Sequence, residues 1–141
     1  MFVTLKIIHI LALGLGLGLA AVKGIVGARV RAATPEIAAE HRTLQGTLGR
    51  VGAWALVAIW VTGLAMFFLR YGGDMAGLGG AFHVKMLFVV IFTGLTGYAM
   101  MTTARARREG KPADPARMRK AGMAGGIALV LAVVFAVIAF G

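Results

Sequence analysis

The chain has 141 residues, 60% of them apolar, and its mean hydropathy is +0.88. It also carries 15 Lys and Arg against 5 acids, a net charge of +10. Such apolar content excludes an ordinary soluble globule, where about 45–50% is usual, and a disordered tail, which is charged but apolar-poor. The absence of cysteine excludes disulfides, thiolate nucleophiles and Cys-ligated metals. A nucleic-acid binder is basic but has no need of long uncharged stretches. A membrane protein needs both apolar spans and the Lys and Arg that orient them.

A helix needs roughly 20 mostly apolar residues to cross a hydrocarbon core of about 30 Å. Four stretches qualify. The first covers residues 2–28 and is interrupted by Lys6, His9 and Lys23. The uncharged cores of the others are 51–69, 86–104 and 121–141, and with their flanking turns the spans run over 51–70, 82–104 and 119–140. None shows strand alternation, so a membrane β-barrel is excluded. The expectation is an all-α fold, a single-domain integral membrane four-helix bundle. The first span also has the layout of a secretory signal, with a Lys near its start and small residues after the apolar run. It is read as retained, because three spans without it make an odd bundle.

The connections are informative. In residues 29–50, Thr34-Pro35-Glu36 reads as N-cap, N1 and N2 of a helix that runs into the second span without a break. Residues 71–80 (YGGDMAGLGG) are read as a short irregular loop. Residues 105–120 are basic, contain Pro112 and Pro115, and are also read as a loop. The first and third connections share one side of the membrane and hold eleven of the fifteen basic residues: Arg29, Arg31, Arg42, Arg50, Arg105, Arg107, Arg108, Lys111, Arg117, Arg119 and Lys120. The positive-inside rule puts those loops in the cytoplasm of a bacterial-type inner membrane and both termini on the non-cytoplasmic side. The charge is then an orientation device. Lipid headgroups are the expected polyanionic neighbours, and no nucleic-acid partner is needed.

Glycine supplies 21 residues, many inside the spans, where small residues let helices approach closely. In the first span Gly14 and Gly18 share one face, and Ala12, Gly16, Ala20 and Gly27 lie on the opposite face with His9. That second face has two readings, a tight helix–helix contact or a groove for a flat ligand. In the third span Met86, Leu87, Val90, Gly94, Gly97 and Met101 lie on the face of His83.

An ionisable side chain inside a span is a functional hypothesis. His9 stands about two turns inside the first helix and His83 opens the third from the same side. Two imidazoles from two helices suit haem b or a metal such as copper. The alternative is a pair of interfacial histidines bonded to backbone or water. Lys85 is two residues from His83, so the two point roughly 160–200° apart on a regular helix. Lys85 either snorkels to headgroups or pairs with a propionate or substrate carboxylate. Arg70, Tyr71 and Trp54 read as interfacial anchors, Trp60 as core and His41 as solvated. No P-loop, GxSxG or HExxH is present, and no span core contains Asp or Glu.

Leu5-Lys6-Ile7-Ile8-His9-Ile10 at the start of the first span and Phe82-His83-Val84-Lys85-Met86-Leu87 at the start of the third resemble the HemJ-type protoporphyrinogen oxidases and the related CopD-like four-helix membrane proteins. The resemblance implies a haem-b-containing oxidoreductase in which His9 is a haem ligand and Lys85 is functional. The chain departs from that pattern at the inner end of the first span, where Val22-Lys23-Gly24-Ile25-Val26-Gly27 replaces a Pro-Arg-Leu-Phe stretch. The departure bears on the oxidase activity more than on haem binding. On these grounds the candidate cofactor-binding residues are His9, His83, Gly16, Ala20 and Gly94, with His9 and His83 as metal ligands and Lys85 as the catalytic candidate. The competing expectation is a cofactor-free accessory subunit of a larger respiratory or photosynthetic membrane complex, and a copper-handling protein is the third.

Overall fold

The long apolar runs form helices because a chain in lipid must satisfy its backbone polar groups within itself. A computed structural model of the chain describes residues 1–75, 78–110 and 113–140, apart from the side chains at positions 31, 107 and 140. Ala76, Gly77, Lys111, Pro112 and Gly141, read above as loop and chain-end positions, lie outside the described residues. Four helices follow in order: α1 (Phe2–Ala32), α2 (Pro35–Tyr71), α3 (Gly80–Arg108) and α4 (Pro115–Phe140). All four are long and apolar enough to cross a membrane, so the chain is a small multi-pass membrane protein.

Helix boundaries follow the local chemistry. Thr34 is the N-cap of α2 with Pro35 at N1, as read, but the Thr34 side chain makes no capping bond. From there α2 runs unbroken for 37 residues, roughly 55 Å at 1.5 Å per residue. That is well beyond one hydrocarbon core. Gly72 ends it in the left-handed region (φ 60°) and its N–H donates to the Phe68 carbonyl at 3.0 Å. This is the C-terminal stop that glycine permits at no Cβ cost.

The reading of 105–120 as one loop is corrected. α3 continues to Arg108 and α4 already starts at Pro115. Asp114 Oδ1 accepts from the Ala116 N–H at 2.9 Å and so caps α4. Pro115, taken for a loop breaker, occupies the first helical turn, where its missing N–H costs nothing. Gly110 supplies the positive φ (64°) between the two helices.

The chain divides into two compact units, residues 1–75 and 76–141, each an antiparallel helical hairpin. In the first, Phe2 of α1 meets Arg70 of α2, His9 meets Thr62 and Lys23 meets Gly49 and Gly52. The α1 seam repeats every seven residues through Phe2, His9, Gly16, Lys23 and Val30, with Ala12 and Val26 buried between them. Ala38, Ala55, Ile59 and Thr62 are its buried counterparts on α2. This is the 3-4 spacing of left-handed helix pairs. In the second unit the Phe88 and Phe135 rings stack at 5.8 Å. Gly125 lets α4 approach Phe92 and Leu95, beside the buried Ala121, Ala128, Leu129 and Ala132.

Candidate functional site

The most organised polar feature of the first hairpin is built around His9. Its Nδ1 lies 2.8 Å from Thr62 Oγ1, and Thr62 Oγ1 lies 2.6 Å from the Ala58 carbonyl oxygen. A carbonyl only accepts, so the single hydroxyl proton of Thr62 goes to Ala58. The His9 nitrogen must then be the donor to Thr62. This puts a proton on Nδ1, so that in the neutral ring Nε2 is the nitrogen able to ligate. Thr62 is 5% exposed, so the arrangement is sheltered from competing water. Gly63 makes room for the ring, since a Cβ there would lie 3.2 Å from His9 Cε1. Thr62 is eight residues before Arg70 on α2, which places the imidazole about 12 Å along the helix from the Arg70 end.

An imidazole whose second nitrogen is held by a hydrogen bond is the usual form of a metal- or haem-ligating histidine. The donor chemistry at His9 therefore fits a residue that could hold a metal or haem iron. The face of α1 that carries His9, Ala12, Gly16 and Ala20 is the one turned to α2, with Ala12 buried and Gly16 and Ala20 half-buried. Gly14 and Gly18 lie on the opposite, exposed face, with open space around each.

In the second hairpin the two candidates on α3 diverge, as their spacing requires. His83 is exposed, and its Nδ1–H donates to the Gly79 carbonyl at 3.3 Å. Leu87, Val90 and Met101 on the same face are also exposed. Gly94 belongs there too, with nothing within 4 Å of a Cβ. Lys85 is half-buried, and its ammonium lies 5.6 Å from the Phe82 ring centroid, within reach of a cation–π contact. Phe82 itself is 7% exposed. Among the described residues no group of three His, Asp or Glu could hold a metal ion.

The interfacial reading of Arg70 has a physical form: its guanidinium carbon lies 5.8 Å from both the Phe2 and the Tyr71 ring. Trp54 is 75% exposed, as an anchor residue must be, Trp60 is half-buried, and His41 is half-exposed rather than fully solvated. The residue missed by sequence reading is Thr62. Its signal was present, because it continues the buried spacing Ala55, Ile59, Thr62, and a polar group in such a seam calls for a partner.

Comparison with protein-family models, with curated proteins and with solved structures gives no match.

Proposed function

We propose that this membrane protein binds haem b through His9 and acts in redox or porphyrin chemistry. The observation that carries the reading is the His9–Thr62–Ala58 chain, in which Nδ1 donates to Thr62 and the ring is held in one orientation inside an apolar hairpin. Haem b held there would supply one-electron chemistry at its iron. The part played by this chain is ligation by Nε2, orientation by Thr62 and clearance for the ring at Gly63. The sequence resemblance adds support at His9. It also makes Lys85 a functional candidate of the second hairpin, where His83 is a further imidazole.

The test is an absorption spectrum of the protein purified from haem-replete cells. A Soret band that is lost in His9→Ala supports the reading, and a colourless wild-type protein overturns it. A second reading, a cofactor-free accessory subunit, is favoured by one feature, the open face of Gly14 and Gly18. A neighbouring transmembrane helix could approach closely there. Under that reading mild detergent extracts the chain in a large colourless assembly, and Gly14→Leu releases it.

A further inference from the structure

A second ionisable residue of the α1 seam, Lys23, has no role in the reading above. It is half-buried against α2. A snorkelling lysine normally extends away from the apolar layer into water. The Lys23 ammonium instead lies over two glycines of the facing helix, 3.5 Å from the position a Gly52 Cβ would take and 4.0 Å from that of Gly49. Leu19 forms one wall of this notch, 3.9 Å from the same Gly52 position, and the buried Val26 lies one turn further along α1.

The level of the notch along the hairpin is fixed by charge. The uncharged segment of α2 covers residues 51–69, roughly 28 Å at 1.5 Å per residue, close to one hydrocarbon thickness. Gly49, Arg50 and Gly52 therefore sit where the apolar layer gives way to headgroups. Arg50 stands at the same level but roughly 160° around the helix from Gly52, with its guanidinium directed to Thr47 Oγ1 at 3.5 Å and away from the notch.

Among the described residues of this hairpin, no carboxylate lies at the level of Lys23. α1 contains no acid, and the nearest acid of α2 on the N-terminal side is Glu40, nine residues before Gly49. That is roughly 13 Å along the axis. Asp74 lies beyond the far end of α2. A lysine at a membrane border, seated in a notch between two helices and without a counter-ion at its level among the described residues of its hairpin, matches the way basic pockets between transmembrane helices take lipid headgroups.

We propose that Lys23, seated over the Gly49–Gly52 notch, binds the phosphate of an anionic phospholipid in the leaflet at the α1–α2 turn. The ligand is a phosphodiester anion with its acyl chains along the hairpin. A free phosphate ion shares the charge but not the chains.

The experiment uses the full-length protein in mild detergent. Native mass spectrometry counts adducts after exposure to phosphatidylglycerol or to phosphatidylcholine, with inorganic phosphate as a separate competitor. The expected result is at least a fivefold preference for phosphatidylglycerol that survives millimolar inorganic phosphate. Lys23→Met, which keeps the apolar stem, should bring the preference near parity, and Lys23→Arg should keep it. Arg119→Gln removes the same charge elsewhere and should leave it unchanged. Gly52→Ala places a Cβ at ordinary contact distance and should be tolerated, whereas Gly52→Leu should fill the notch and abolish the preference. A Lys23→Met protein that keeps the wild-type preference overturns the proposal. So does an Arg119→Gln loss equal to that of Lys23→Met, or full displacement of the lipid by inorganic phosphate.

Discussion

Replacing Thr62 by Val removes one hydroxyl and keeps the branched shape. In the wild type that hydroxyl accepts from His9 Nδ1 at 2.8 Å and donates to the Ala58 carbonyl at 2.6 Å. The Ala58 carbonyl keeps its backbone helix bond, so the cost falls on His9. Interhelical hydrogen bonds in membranes contribute about 0.6 kcal/mol on average and at most about 1.7. The α1–α2 hairpin should therefore weaken by about 1 kcal/mol and still fold. The larger effect is on the cofactor. With the Nδ1 proton no longer directed to Thr62, the ring loses its fixed orientation and the bias toward a basic Nε2. Loss of such a supporting bond typically costs 10–100-fold in metal affinity, equivalent to about 1.4–2.7 kcal/mol. The assay is a haem titration of the apoprotein followed at the Soret maximum, alongside SDS-induced unfolding of the same samples. Thr62→Ser, which restores the hydroxyl, should recover most of the affinity. A Thr62→Val protein that binds haem as tightly as wild type would refute the reasoning.

Gly63→Ala puts a Cβ 3.2 Å from His9 Cε1, so the ring must shift by a few tenths of an ångström. Haem content should fall several-fold with little change in helicity by circular dichroism. Phe135→Ala removes the ring stacked on Phe88. The lost aromatic pairing should weaken the second hairpin by about 1 kcal/mol in SDS unfolding and leave any Soret band unchanged in shape. Asp114→Ala deletes the cap of α4, worth about 1 kcal/mol, and should raise hydrogen exchange at the Ala116 and Arg117 amides at least fivefold. Leu at Gly14 and Gly18 together should leave a haem-binding protein spectrally unchanged, because that face has open space; loss of a large co-purifying assembly would instead support the accessory-subunit reading.

The helices were legible because their signal is long and redundant. Nineteen consecutive uncharged residues, as in 51–69, admit few structures in lipid. The Thr34-Pro35-Glu36 start of α2 was equally plain, since a fixed proline φ favours one position of a helix. The same logic applied to Asp114-Pro115 would have shortened the basic loop. There the charge of the segment overshadowed a capping pair, and Arg and Ala are good helix formers. The candidate site was only half legible. His9 could be singled out by cost, because an imidazole in a span needs a reason. Its partner lies 53 residues away, and no local pattern encodes a contact at that separation. On α3 the spacing of His83 and Lys85 showed that only one could face inward. The choice needed packing, which turns Lys85 toward the hairpin interior and leaves His83 exposed. Lys23 showed in the sequence only as an interruption of the first span, because its environment comes from the glycines of another helix.

If His9 would hold haem b as proposed, the most direct measurement is the absorption spectrum of purified wild-type protein beside His9→Ala. A Soret band with about one haem per chain in the wild type, lost in His9→Ala while helicity is kept, is the predicted result. An intact Soret band in a folded His9→Ala protein would contradict it.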